Sequence, residues 1–437
     1  MSQILVLSWH HFSVRGPSRD VGKSADIHYF LASIGRFRLP VLACNREDSS
    51  IFLEVCLIGR AEAGSGEGGM MKINAATLDQ IGHTGPFGDT RPLRLAALTL
   101  DPPRLGELLV KIEAAGLCHS DLSVINGDRP RPMPMALGHE ACATVVETGD
   151  PHDPQFAVGD RVVLAFLPAC GACVRCLSGE GYLCPNGAAA NAKGELLRGG
   201  IRLHDGGRDV HHHLGVSAFA DHAVIDRRSA VKIDHDVPPE IAALFGCAVL
   251  TGVGAVLNSA GLRPGESVAI YGLGGVGLAA LLGAVAGGGN PVIAIDPISE
   301  KRALALELGA AAAFAPGEED GVTPPDVVIE TVGKAAVLER AYALARRGGR
   351  VVTVGLPNPA EQFSIPAVSL VADGKTIIGS YLGSAIPARD IPRYIGLWRA
   401  GRLPVERLLT SVSPLADINA LFDILASGHA VRQVVIP

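Results

Sequence analysis

Cys118, Ser120 and Asp121 fall in one short run, Gly116-Leu117-Cys118-His119-Ser120-Asp121, and His139 lies 21 positions after the cysteine in Gly138-His139-Glu140. A thiolate and an imidazole are both ligands for zinc, and a zinc ion with an open position polarises an oxygen bound to it. Taken alone the pair is weak, because a Cys and a His at this distance recur by chance. It gains weight from the cysteines and glycines further along the chain.

The most specific local signal is Cys170-Gly-Ala-Cys173-Val-Arg-Cys176, with Cys184 after seven intervening residues. Thiolates at such spacing converge on one tetrahedral ion, and four of them close its coordination sphere, so this cluster reads as structural. Cys247 is the one further cysteine with a ligand context; Cys142, inside a strand pattern, reads as a small buried hydrophobe. His211-His212-His213, in a Gly-rich polar stretch from Pro185 to Leu214, reads as solvated surface on a long excursion.

A second constellation concerns a dinucleotide. Gly272, Gly274 and Gly277 fit G-x-G-x-x-G between the apolar run Ser267–Tyr271 and an apolar helical stretch to Ala286, with Gly275 and Val276 inside the loop. Glycines admit a pyrophosphate to a helix N-terminus, and Asp296, 19 positions beyond Gly277, suits ribose hydroxyls. A carboxylate there repels a 2′-phosphate and favours NAD over NADP.

These groups require two kinds of scaffold. From Ile73 the chain shows short alternating strands, Leu108-Val110-Ile112 and Ala141-Ala143-Val145 among them, broken by Gly and Asp-Pro: a β-rich, barrel-like domain. From Ser267 strands alternate with helices, predicting a doubly wound parallel sheet of about six strands, so the fold class is α/β with two lobes. The tail from Pro387 carries two helices and a last strand, Val431 to Ile436, and is expected to fold back onto the first domain. The predicted divisions are 1–70, an N-terminal extension; 71–247 with 382–437, a zinc-binding catalytic domain; and 248–381, a dinucleotide-binding domain.

The extension differs in composition from the rest and ends in a Gly-rich run before Met70-Met71. It is either an accessory segment or the product of a start placed upstream of the true one, and the composition break favours the second. The 437 residues are 48% hydrophobic and 19% charged, with a net charge of -6. That balance speaks against a nucleic-acid partner. The richest apolar stretch, Leu278 to Val285, is too short to span a bilayer and the opening residues make a poor signal peptide, so no membrane partner and a cytoplasmic location are expected.

In this order and spacing the motifs resemble the zinc-containing medium-chain alcohol dehydrogenase family, from about Met71 to Pro437. The resemblance implies a GroES-like catalytic domain beside a Rossmann coenzyme domain. It implies Cys118, His139 and Cys247 as ligands of a catalytic zinc, and Cys170, Cys173, Cys176 and Cys184 as ligands of a structural one, two zinc ions per chain. It implies Asp121 as the carboxylate orienting His139, Glu140 as an acidic neighbour of the metal, and Ser120 as the hydroxyl on the substrate oxygen. For NAD it implies Gly272, Gly274, Gly275, Val276, Gly277 and Asp296, with Lys301 beside the adenosine ribose, His119 and Arg432 near the pyrophosphate and Thr251 beside the nicotinamide. Phe166 falls on a substrate-pocket position, and the stretch after Cys184 resembles that of dimeric members.

The reaction so implied is reversible oxidation of a small-molecule alcohol to an aldehyde or ketone. Two other readings stand beside it: a dehydrogenase of a formaldehyde–thiol adduct, disfavoured by the absence of an arginine just after Cys184, and a non-catalytic zinc protein of this fold. One departure from the family pattern is Ser123, which stands where many members carry the histidine that ends a proton relay.

Overall fold

The computed structural model describes residues 69–437 and, before them, two strands, β1 (Ile27–Ile34) and β2 (Phe37–Cys44). These two pair antiparallel, Ile27 opposite Cys44 and Ile34 opposite Phe37. The expectation for residues 1–70 otherwise lies outside the described residues.

From Met71 the chain builds a closed five-stranded barrel. Its strands are β3 (Met71–Leu78), β4 (Leu93–Leu100), β6 (Met135–Ala136), β9 (Leu203–Asp205) and β10 (Arg208–His212), in the order β10-β6-β3-β4-β9. Beside it runs a seven-stranded sheet in the order β12-β8-β7-β5-β20-β19, with β11 also paired to β5. Here β5 is Glu107–Gly116, β7 Ala141–Thr148, β8 Arg161–Leu164, β11 His222–Asp226, β12 Ala230–Ile233, β19 Leu409–Pro414 and β20 Arg432–Ile436. The end of the chain thus returns to the first sheet.

Register decides where side chains emerge. Ala115 of β5 faces Ala141 of β7 and Val435 of β20, while Ala141 faces Leu164 of β8. Neighbours β5 and β7 run antiparallel, so the end of one and the beginning of the next meet at one edge. Cys118 leaves β5, His139 and Glu140 enter β7, Phe166 comes after β8 and Arg432 opens β20, all at that edge.

The second lobe is a six-stranded, wholly parallel sheet in the order β15-β14-β13-β16-β17-β18. Its members are β13 (Val268–Tyr271), β14 (Val292–Ile295), β15 (Ala312–Phe314), β16 (Val327–Glu330), β17 (Arg350–Thr353) and β18 (Thr376–Gly379). Central strands β13, β14 and β16 are buried along their whole length, as continuous apolar strands covered on both faces must be. The sequence pattern has no separate signal for β15, a three-residue Ala-Ala-Phe edge strand with only partly buried side chains.

Helix Ala248–Gly254 starts directly after Cys247 and packs against helix Gly275–Ala286. The approach is so close that a Cβ on Gly252 would collide with the Val276 carbonyl oxygen. Small residues therefore fix the distance between the metal-ligating turn and the Gly-rich loop. Among the described residues no single helix is long and apolar enough to cross a membrane.

The structure corrects one expectation. The stretch Pro185 to Leu214 is not a solvated excursion: helix Pro185–Lys193 leads into β9 and β10, which close the barrel. His212 and His213 are each only 1% exposed. The polar composition misleads because the polar groups are partnered inside. Buried Arg202 donates from Nε to buried Glu107 at 3.0 Å, and its backbone N–H donates to His212 Nε2 at 3.0 Å. Burial, then the nearby Arg202 charge, depresses the His212 pKa from 6.5 to about 3. Below pH 6.5 the unfolded chain therefore binds a proton that the folded chain refuses, and stability is lost as pH falls towards 3. His212→Gln keeps an acceptor for the Arg202 N–H and cannot take the proton. Between pH 7 and pH 5 the wild type should lose about 2 kcal/mol more unfolding free energy than this variant, from about 1.4 kcal/mol per unit of pH, as read by urea denaturation at both values.

Candidate active site and metal centres

Helix His119–Ile125 begins where β5 ends, and Cys118 is its N-cap, with extended backbone at φ -134°. Asp121, in the first helical turn, accepts the Cys118 N–H on Oδ2 at 3.3 Å. Its other oxygen, Oδ1, accepts the Gly138 N–H at 3.1 Å and lies 3.1 Å from His139 Nδ1. One buried carboxylate thus ties the end of β5 to the residues entering β7. Gly138 holds φ +92°, and a Cβ there would collide with the Phe219 nitrogen, so the turn admits only glycine.

Burial alone would raise the Asp121 carboxyl, but the imidazoles of His139 and His213 outweigh it and hold it down at about 2. His213 Nδ1 is 3.0 Å from Asp121 Oδ1, off the line of a good hydrogen bond, and its ring stacks edge-on to His139 with centroids 5.4 Å apart.

With Nδ1 occupied, His139 presents Nε2, which is buried and has no hydrogen-bond partner. The ligating atoms of Cys118, His139, Glu140 and Cys247 lie within 4.8 Å of one another. Cys247 arrives through the turn Ala243–Gly246, which packs on the end of β8: a Cβ on Gly246 would collide with the Leu164 carbonyl oxygen. Both Glu140 carboxylate oxygens are buried without hydrogen-bond partners, and Arg432 Nη1 stands 3.9 Å away. Two soft sulfurs, a free imidazole nitrogen and a carboxylate without a hydrogen-bond partner facing one point are what a zinc site demands, and buried groups of this kind are otherwise costly.

The second cluster comprises Cys170, Cys173, Cys176 and Cys184, whose sulfurs also lie within 4.8 Å of one another. The Cys170–Cys176 and Cys173–Cys184 sulfur separations are 3.9 and 4.0 Å, far beyond a disulfide bond. Four sulfurs on one zinc at about 2.3 Å stand about 3.8 Å apart by tetrahedral geometry. Cys184 Sγ accepts N–H bonds from Cys170 and Gly187 at 3.3 and 3.4 Å, the pattern of a thiolate held by backbone. Among the described residues Cys142 belongs to neither cluster; it is fully buried, and burial pushes its thiol up.

One cleft of about 440 Å³ is lined at one end by Cys118, Ser120, Phe166 and Cys247, and at the other by Gly272, Gly274, Gly275, Val276, Gly277, Asp296 and Lys301. His119, Thr251 and Arg432 line it between them. The glycines do separate work. Gly272 holds φ +86°, a Cβ on Gly277 would collide with the Gly272 carbonyl, and one on Gly275 would collide with the Arg432 guanidinium. Gly274 has open space where a Cβ would point. Asp296 already accepts two backbone N–H groups, from Leu273 at 2.7 Å and Ile298 at 2.8 Å, so it shapes the loop as well as facing the cleft.

Phe166 links the metal end to a further aromatic. It packs edge-on to His139 at 5.6 Å and to Tyr381 at 5.9 Å. Ser123 donates its hydroxyl to the His119 carbonyl at 2.8 Å.

Two family models match the chain: an alcohol dehydrogenase GroES-like domain over residues 104–235 and a zinc-binding dehydrogenase domain over residues 275–398. The NDMA-dependent alcohol dehydrogenase of Amycolatopsis methanolica is 36% identical over 376 residues, 84% of this chain and 99% of the relative. The chain belongs to the zinc-containing medium-chain alcohol dehydrogenase family. Among solved structures, an alcohol dehydrogenase zinc-binding domain protein from Burkholderia ambifaria matches with TM-score 0.79 and 33% identity, covering 84% of this chain and all of the other. Benzyl alcohol dehydrogenase from Acinetobacter calcoaceticus matches with TM-score 0.77 and 29% identity, covering 84% and 99%. Like its relatives, this member is an alcohol oxidoreductase.

Several residues of this site carry no signal in the sequence. His213 sits in a histidine run whose composition suggests surface; Tyr381 and Leu356 reach the cleft only because parallel strands deliver their C-terminal ends to one crevice. Arg129 also lines the cleft, eleven residues beyond Cys118, in a loop without periodicity.

Asp121→Asn keeps size but loses the charge, and its amide nitrogen cannot accept. Zinc affinity at the Cys118 cluster should fall roughly 10- to 100-fold, measured by competition with a chromophoric chelator, while the four-cysteine cluster retains its metal.

Proposed function

We propose that this dehydrogenase oxidises primary alcohols with an apolar, aromatic-sized body, using NAD, with zinc at two sites. The observation carrying this reading is the single cleft that runs from Cys118, Cys247 and Ser120 to Gly272–Gly277 and Asp296. Cys118, His139 and Cys247 would hold the catalytic ion, and Cys170, Cys173, Cys176 and Cys184 the structural one. Zinc, when bound, supplies a Lewis acid that lowers the pKa of an alcohol, and NAD supplies the hydride acceptor.

The chain's own residues do the rest. Asp121 fixes the His139 ring so that Nε2 faces the sulfurs. Ser120 Oγ, partly exposed in the cleft, takes the substrate's hydroxyl proton and passes it outward to water. Phe166 and Tyr381 form the apolar wall that orients the carbon chain and excludes water. Arg432, whose Nη1 donates to the Leu117 carbonyl at 3.0 Å, stands against Gly275, where a phosphate would approach the backbone.

NAD is favoured over NADP because Asp296 puts a carboxylate where a 2′-phosphate would come; Lys301 lines the same cleft, buried and within reach of that carboxylate's charge. The relative named for NDMA dependence makes NDMA the other oxidant to compare. An apolar substrate body is supported by the aromatic wall and by the benzyl alcohol dehydrogenase among the similar structures.

The test is turnover of benzyl alcohol with NAD, NADP or NDMA as oxidant, together with zinc content. Reduction of NAD by benzyl alcohol and two zinc ions per chain are expected. Activity with no nicotinamide acceptor, or a single zinc, would overturn the reading. Ser120→Ala should lower kcat by roughly 100-fold or more. Ser123→Ala should change it by less than about threefold, because the Ser123 hydroxyl is already engaged with the His119 carbonyl. A large loss at Ser123 would reroute the proton.

A further inference from the structure

Arg129 and Arg131 lie in the loop after helix His119–Ile125, and Arg129 lines the cleft. Arg129 is half-buried and lines the cleft with Ser120, Ser123, Phe166, Leu356 and Tyr381. It makes one hydrogen bond, Nη2 to the Leu356 carbonyl at 2.9 Å. A guanidinium carries five N–H donors, so most of them remain for another acceptor. Arg131 donates Nη1 to the Asn191 carbonyl at 3.3 Å, and its Nε is buried without a partner. Among the described residues neither arginine has a carboxylate within ion-pair distance. The neighbouring acid, Asp128, accepts instead from the Asn126 side-chain amide at 2.9 Å.

Two unpaired cations beside an apolar aromatic wall are unfavourable unless an anion completes them. Burial raises the pKa of the Tyr381 hydroxyl, and the charges of Arg131 and Arg129 both act against that rise. The cleft thus has three chemistries in sequence: soft ligands at the base, Phe166 and Tyr381 along the wall, and positive charge at the rim. A neutral alcohol would use the first two and leave the third unmatched.

We propose that Arg129, with Arg131 beside it, forms an anion subsite at the outer end of the substrate cleft, so that the preferred substrate is an alcohol carrying a carboxylate at the far end of an aromatic or similarly sized body. This rests on the function proposed above and narrows it. Arg129 is a specificity-determining residue: it acts on the substrate's carboxylate, remote from the carbon that loses hydride. Planar bidentate pairing explains why arginine suits the position better than lysine.

The experiment compares benzyl alcohol with 3- and 4-(hydroxymethyl)benzoate, using the zinc-loaded enzyme, NAD, and the variants Arg129→Met and Arg129→Lys. Wild type should favour one of the carboxylates over benzyl alcohol by roughly 10- to 100-fold in kcat/KM, the worth of a hydrogen bond to a charged group. Arg129→Met should abolish that preference, chiefly through KM for the carboxylate, and leave benzyl alcohol within about threefold of wild type. Arg129→Lys should recover part of it. Equal loss on charged and neutral substrates, or a raised KM for NAD, would overturn the subsite and make Arg129 a structural or coenzyme contact. Absence of any carboxylate preference in the wild type would overturn it too. If benzyl alcohol and both carboxylates are all inert, the alcohol and coenzyme reading itself fails, a result distinct from loss of charge selectivity alone.

Discussion

The buried carboxylate of Asp121 is the contact on which the site depends. It has no solvent exposure, yet it stays ionised because the His139 and His213 imidazoles outweigh burial, and the Cys118 and Gly138 backbone N–H groups also converge on it. Removing a single carboxylate would leave all of these unpaired in a dry interior, which is far more costly than the loss of one surface bond. The same contact selects the His139 tautomer. With Nδ1 bound to the carboxylate, the lone pair is on Nε2 and aimed at the sulfurs. The position of the ligands is therefore set by second-neighbour hydrogen bonds before any ion binds.

That carboxylate can act only because the sheet brings its partners together. Antiparallel pairing of β5 with β7 and β20 puts Cys118, His139, Glu140 and Arg432 at one edge, and β8 adds Phe166. In the second lobe all six strands are parallel, so Gly272, Asp296, Thr331, Leu356 and Tyr381 come after strand ends facing the same crevice. Helix Ala248–Gly254 belongs to both arrangements. Its first neighbour is Cys247 of the candidate metal cluster, and its Gly252 touches the helix that extends from the Gly-rich loop.

Much of this is legible in the residues, for reasons that differ from part to part. The four-cysteine cluster is local: its ligands span fifteen positions, so spacing alone describes it. The Gly-rich loop is local too, because steric limits on φ and on backbone approach act within a few residues. The barrel and the parallel sheet are implied by alternation and by β–α succession. Spacing cannot convey the features that depend on non-local pairing. His213 joins Asp121 only through the parallel pairing of β10 with β6, which sets His212 opposite Ala136, just before Gly138 and His139. The polar stretch around it looks solvated because composition does not reveal that Arg202 meets Glu107 inside the barrel. Tyr381 and Arg129 lie 252 positions apart in the sequence and share a cleft only through the fold.

Arg432, paired with Glu140, ties the two lobes together. Both side chains are almost completely buried, and each is admitted by a glycine: a Cβ on Gly116 would collide with Glu140, and one on Gly275 with Arg432. Gly116 ends the strand before Cys118, whereas Gly275 lies in the Gly-rich loop. The Arg432 guanidinium thus spans the two, bonded to the Leu117 carbonyl and 3.9 Å from the Glu140 carboxylate. In a low-dielectric interior such opposite charges interact strongly, so each helps hold the other in place. The Cys118 turn and the Gly-rich loop, on different lobes, are in this way joined through one buried guanidinium.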